Sequence, residues 1–297
     1  MDVRLSVHTI VFTSERGDCD TNEPDRPPAP ASITRASMKR AWVISAAFLV
    51  CVITATILLL LTGQPDSPPD TIPPPSGPPR PEQPDTSRYV SFMLSAGSGP
   101  INMYWRDDDG DDLRSLGRLR SYEEGRGRRL RFAMNGGMYR KDHSPVGLFI
   151  QHGRMLSPLD TSSGKGNFYL KPNGIFIVRK DGTAAVVTTD RYIHTDDMEF
   201  ATQSGPMLLI DGAIHPVFEK DSHHFNIRNG VGIRPDGTVV FAISRTEVTL
   251  YDFATYFKNL GCRNALYLDG FVSRCYLPEK NRVELDGDFG VMIGVVE

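Results

Sequence analysis

Asn135 ends the apolar run of "FAMNGGMY" (132–139), with Gly136 and Gly137 directly behind it; Asp269 ends "ALYLDGFVS" (265–273), with Gly270 behind it. A carboxylate held at a strand end can take a proton, activate water or stabilise developing positive charge. An amide beside it can orient sugar or phosphate oxygens, and the glycines leave backbone open to a substrate. The competing reading is two tight turns, because Asn-Gly and Asp-Gly are also the strongest short hairpin signals. The flanks bear on the choice. "MYRKDHSPVG" after Gly137 and "FVSRCYLP" after Gly270 are polar and turn-rich, with no immediate return strand.

Two more segments set polar groups at strand ends. "FATQSGPMLL" has Gln203, Ser204 and Gly205 before a strand, and "NIRNGVGIRPDG" has Arg228 and Asn229 entering one. Arg228 offers five donors in a planar fork suited to phosphate or carboxylate; its bland alternative is a surface arginine. Ser273 lies four residues past Asp269 and can share its pocket. The candidate set is therefore Asp269 and Arg228 as catalytic carboxylate and anion clamp, with Asn135, Gly136, Ser204, Asn229 and Ser273 on the substrate.

Other chemistries fit less well. His143, His194, His215, His223 and His224 do not form HExxH or another closely spaced set, so no metal is assigned. "TSSGKGNFYLKPNG" contains Gly-Lys without phosphate-loop spacing, and no GxSxG is present. The acidic cluster Asp107 to Asp112 fails the calcium-loop pattern, since Gly110 would require an acid at Trp105 and a Glu at Leu116. It reads as a solvated turn. A formal net charge of −3 supplies no bulk attraction to nucleic acid, and no cofactor is implied. Cys262 and Cys275 bracket the Asp269 segment; a bridge and two free thiols both stay open.

The elements that must position these residues lie in the C-terminal two thirds. "GIFIVRKDGTAAVVTT", "GPMLLIDGAIHPVF" and "GVGIRPDGTVVFAIS" each place Asp-Gly between strand patterns, at 181–182, 211–212 and 236–237, and predict hairpins. "INMYWRDDDGDDLRSL" predicts a further hairpin or a strand leading to a helix over 112–125. "TLYDFATYFKNLG" sets Leu250, Phe253, Ala254 and Phe257 on one helical face, with Thr249 as cap and Gly261 as stop. The fold class expected is α+β: hairpin-rich, mostly antiparallel sheets with few helices.

Upstream, residues 41–61, "AWVISAAFLVCVITATILLLL", carry no charge. At about 1.5 Å per residue they span roughly the 30 Å hydrocarbon core of a bilayer. Arg35, Lys39 and Arg40 precede them, which predicts an uncleaved anchor with a cytoplasmic N-terminus and everything beyond it extracytoplasmic. A cleaved signal peptide beginning at Met38 is the alternative, against which stand the length of the run and the lack of an A-x-A site. The expected organisation is a disordered tail (1–40), the anchor (41–61), a Pro-rich extended linker (62–87) and one domain (88–297).

Taken in order, "FAMNGGMY", "SPVGLFI", "GNFYLKPNGIF", "FATQSGPMLLIDG", "RNGVGIRPDGTVVFAIS" and "ALYLDGFVS" closely resemble the phosphodiester glycosidase family. The likeness runs from about Phe92 onward and is nearest to its bacterial members. It implies hydrolysis of a sugar joined through its anomeric oxygen to a phosphodiester, with cell-envelope polysaccharide as the substrate expected of a domain held outside the membrane. The alternative is a non-catalytic envelope polysaccharide-binding module on the same fold. The sequence departs from the family's usual Asp-Gly-Gly at Phe271, whose bulk would narrow the pocket or stack on a sugar, and from its Arg-Thr-Ala form at Asn229.

Overall fold

The structure, a computed structural model, describes residues 85–297 apart from Phe271. The expected tail, anchor and nearly all of the linker therefore lie outside the described residues, as does the expected effect of Phe271. Among the described residues no helix is long and apolar enough to cross a membrane.

Among the described residues sixteen strands form three sheets, flanked by two α-helices, each numbered in chain order. The first sheet has six strands in the order β1 (Tyr89–Leu94), β12 (Val239–Ser244), β11 (Asn229–Ile233), β13 (Asn264–Tyr267), β9 (Met207–Ile210) and β10 (Ala213–Ile214). The second runs β15 (Arg282–Val283), β14 (Cys275–Leu277), β3 (Leu130–Gly137), β16 (Val291–Val296) and β2 (Ile101–Tyr104). The third runs β5 (Arg154–Ser157), β4 (Phe149–Gln151), β8 (Met198–Ser204), β6 (Gly174–Arg179) and β7 (Ala184–Thr188). Every pairing between these strands is antiparallel.

The three expected hairpins are β6–β7, β9–β10 and β11–β12. Their turns carry positive φ at Gly182 (80°), at Asp211 and Gly212 (50° and 86°) and at Gly237 (80°), the region that glycine and short polar residues tolerate. A further hairpin, β4–β5, turns on His152 and Gly153 with φ of 50° and 70°. After β2 the chain takes the strand-to-helix path. Asp107 Oδ1 accepts the amides of Asp109 and Asp111, and the chain enters helix α1 (Leu116–Gly125). Helix α2 (Leu250–Asn259) starts where expected, with Thr249 Oγ1 accepting the Asp252 amide at 3.0 Å, and Gly261 follows its end at φ 81°.

One core joins all three sheets, because each turns alternate apolar side chains inward. Phe132 of the second sheet stacks on Phe92 at 4.7 Å and meets Phe241 at 4.9 Å, both on the first sheet. Phe176 of the third sheet meets Phe241 edge-on at 5.8 Å. Outside this core, α2 covers the first sheet through Phe253, Ala254, Tyr256 and Phe257, while α1 covers the second through Leu116 and Leu119. Cys262 and Cys275 are both free and buried, so neither crosslinks the sheets.

Candidate functional site

Asp269 lies two residues beyond β13, and side-chain amides from two sheets fix its backbone. The Asn135 Nδ2 group, near the end of β3, donates to the Asp269 carbonyl at 3.0 Å. The Asp269 amide donates to Asn229 Oδ1, at the start of β11, at 2.9 Å. Asn229 Nδ2 in turn donates to the Asn135 carbonyl at 2.8 Å and to Asn135 Oδ1 at 3.0 Å. A second donor, the Arg274 amide, reaches Asn135 Oδ1 at 3.1 Å. Ser273 Oγ donates to the Asp269 carbonyl at 2.8 Å, and Ser204 Oγ, closing β8, donates to the Leu268 carbonyl. All four side chains are buried, so each amide and hydroxyl is matched to backbone, as burial demands.

The glycines have neighbours that explain them. A Cβ on Gly136 would stand 2.5 Å from Ile293 Cγ1 on β16, and one on Gly270 would stand 1.9 Å from the Tyr267 hydroxyl and 2.7 Å from the Ile227 carbonyl. Close approach of strand to strand, and of the Asp269 loop to Tyr267, requires both.

The Asp269 carboxyl itself is half-buried and accepts no hydrogen bond among the described residues. Desolvation, with no cation to oppose it, pushes it up to about 7. Such a group is partly ionised at neutral pH and can either give or take a proton.

Arg228 is the chain neighbour of Asn229, but its guanidinium is directed elsewhere. Nε donates to the Val248 carbonyl at 2.8 Å and Nη2 to the His224 carbonyl at 2.7 Å. The guanidinium carbon sits 5.5 Å from the centre of the Tyr267 ring, and no ion pair joins it to Asp269. Burial draws the guanidinium below its ordinary value, and the side chain lines a cleft of about 450 Å³ with Asn167, Phe218, His224 and Tyr251. The two carbonyls take one N–H each, and the Tyr267 hydroxyl lies beside the rest of the fork.

Tyr139, which the sequence reading did not place, and Gln203, which it set at a strand end without a role, belong to this picture. Tyr139 follows β3 by two residues; burial, reinforced by the negative charges of Asp269 and Asp288, pushes its hydroxyl up to about 12. Its ring stacks on His143 at 5.6 Å, and His143 Nε2 meets Asp288 Oδ1 at 2.9 Å. Gln203, one residue before Ser204, receives the amides of Leu148 and Asp160 on Oε1 at 3.0 and 2.9 Å and so ties two loops to β8. Among the described residues no group of three or more His, Cys, Asp and Glu side chains is gathered.

Residues 128–288 match the phosphodiester glycosidase family. The uncharacterized protein YigE of Escherichia coli (strain K12) is 38% identical over 193 residues, which cover 65% of this chain and 75% of that protein. Among solved structures, the zebrafish N-acetylglucosamine-1-phosphodiester alpha-N-acetylglucosaminidase catalytic domain, auto-inhibited by its pro-peptide, is similar at 15% identity and a TM-score of 0.45, over 71% of this chain and 88% of that one. A putative exported protein of Burkholderia pseudomallei K96243 is similar at 10% identity and a TM-score of 0.48, over 70% of this chain and 73% of that one.

Proposed function

The chain belongs to the phosphodiester glycosidase family, and from that membership we propose that it hydrolyses the bond between a sugar's anomeric carbon and a phosphodiester, with Asp269 at the reacting centre. The observation that carries this reading is the Asp269 carboxyl, pushed up to about 7 by desolvation while its own backbone is fixed by the amides of Asn135 and Asn229. Water attacks the anomeric carbon and loses a proton to ionised Asp269. The carbon–oxygen bond to phosphate breaks, and the phosphate departs with the bonding pair. That leaving group is already an anion and needs little protonation, so the essential group is the base and not an acid. Positive charge that grows on the sugar ring in the transition state also favours a nearby carboxylate.

Arg228 serves this reading as the anion clamp, through the donors it does not give to Val248 and His224. Asn135, Asn229, Ser204 and Ser273 serve it as positioning residues, since their polar groups hold the Leu268 and Asp269 backbone. Gly136 serves it by letting β16 lie against β3 at that point. Residues 41–61 anchor the domain on the extracytoplasmic side, close to envelope polysaccharide that would supply the substrate. Protease added to intact spheroplasts should then remove the domain and leave the N-terminus protected; the reverse pattern would refute that orientation.

The test of the reaction is release of free sugar from a panel of sugar-1-phosphodiesters, such as UDP-sugars and N-acetylglucosamine-phospho-sugars, with and without chelator. Wild type should release sugar and Asp269→Asn should not. A folded wild type that binds glycan and releases nothing from the panel would favour the binding module instead. The rate should rise as pH passes through about 7 and level off above it, because only the ionised carboxylate acts as base. A rate that falls across the same range would make Asp269 an acid. Arg228→Lys keeps the charge and loses the fork, so KM for phosphodiester should rise about tenfold or more; an unchanged KM would remove Arg228 from the clamp.

A further inference from the structure

Tyr267 closes β13 opposite Gly230 of β11. It therefore stands between the segments that carry the proposed chemistry: Arg228 lies two residues before Gly230, and Asp269 two residues after Tyr267. Its ring is buried beneath α2 with those of Phe253, Tyr256 and Phe257. A phenyl ring serves that layer at positions 253 and 257, so packing there does not call for a hydroxyl. A buried tyrosine hydroxyl is ordinarily explained by the polar groups it meets.

Two groups meet it. On one side Gly270 is pressed against the hydroxyl, which is where a Cβ on that residue would collide. The same turn abuts the chain that carries Arg228, through the Ile227 carbonyl. On the other side lies the Arg228 fork, already held by the Val248 and His224 carbonyls, with the Tyr267 hydroxyl as its third neighbour. Burial pushes this hydroxyl up to about 12; the Arg228 charge and the Gly270 amide oppose that rise, and the Asp269 charge adds to it. At neutral pH it is thus an uncharged group whose oxygen can accept from a guanidinium and an amide together.

Among the described residues no ion pair joins Arg228 to Asp269, so their spacing is set by what lies between them. We propose that Tyr267 is a positioning residue, whose hydroxyl braces the Arg228 fork against the Gly270 turn and so sets where a bound phosphate stands relative to the Asp269 carboxyl. This rests on the reading of Arg228 as anion clamp and Asp269 as base. Tyr267 acts through both and touches no substrate. Reactions between oriented groups are sensitive to such bracing, since a displacement of about 1 Å can cost on the order of a hundredfold in rate.

Tyr267→Phe in the full-length protein removes the hydroxyl and keeps the ring, and circular dichroism checks the fold. Affinity is read by calorimetry in the Asp269→Asn background, where UDP-N-acetylglucosamine and the other sugar-1-phosphodiesters of the panel stay intact. Tyr267→Phe should weaken binding about fivefold, the size of one hydrogen bond. Arg228→Lys should weaken it about tenfold, and the two together no further, because the hydroxyl acts through the fork. With Asp269 restored, Tyr267→Phe should also lower kcat about tenfold, through the displaced turn. Tyr256→Phe removes a hydroxyl of the same layer that faces Ser91, and should change neither affinity nor kcat. Unchanged binding in Tyr267→Phe overturns the inference, as do additive losses in the double variant or an equal loss in Tyr256→Phe. Weakened, non-additive binding in a protein that releases no sugar would uphold the link to Arg228 and overturn the hydrolase reading. Sugar release with wild-type kcat and KM in Tyr267→Phe would do the reverse, and no binding of any diester overturns both.

Discussion

A half-buried carboxyl given no cation is a local liability, and Asp269 bears it. Its folded value of about 7 stands above the ordinary 3.8, so the folded state holds a proton that the unfolded state has released between those values. Stability from this group is therefore complete below about pH 4 and lost as pH rises toward about 7. A shift of about three units corresponds to at most about 4 kcal/mol. Asp269→Asn should accordingly raise the melting temperature at pH 8, leave it unchanged at pH 3.5, and abolish turnover. Equal melting temperatures at pH 8 would mean that water reaches the carboxyl freely. The neighbouring amides predict the opposite sign. Asn229→Ala strands the Asp269 amide and the Asn135 side chain, so stability should drop by about 1–3 kcal/mol. In urea titrations that loss should be seen at every pH, and kcat should fall with KM little changed.

At the scale of elements, local chemistry was legible wherever a short segment settles its own shape. Asp-Gly announces the β6–β7, β9–β10 and β11–β12 turns, and Thr249 with Gly261 brackets α2. The β4–β5 turn was harder to read because His152 takes the left-handed position that Asn or Asp usually marks. Pairing between distant strands has no local signature. Nothing in "FAMNGG" names β14 and β16 as the neighbours of β3, and nothing near Asn229 names β13. The strand-end position of Asn135, Asn229 and Asp269 could be read from sequence. That their amides face backbone could not, since it depends on how two sheets meet. Tyr139 had one available signal, its place two residues past the glycine pair that ends β3. The Thr249 cap gives a clean test of element against site: Thr249→Ala should lower stability by about 1 kcal/mol in urea melts, with turnover per folded molecule unchanged. Lost turnover would show that α2 reaches the site through the first sheet.

For the whole molecule, the three-sheet core is the feature on which the site depends. Phe132 touches aromatic rings of the first sheet and sits three residues before Asn135. Phe132→Ala should lower stability by about 3–5 kcal/mol, measured by denaturant melts, through lost burial and the cavity left behind. A much smaller loss would mean that the sheets close over the gap. The order of the second sheet also has a consequence in time. β16 lies between β3 and β2, although it is the last of the sixteen strands to be synthesised. On the growing chain β3 and β2 must wait for it with edges unpaired, and such edges invite association with other chains. Non-local pairing of this kind is slow. Asn135 thus sits on a strand whose second neighbour reaches it only after every other strand of the site has been made.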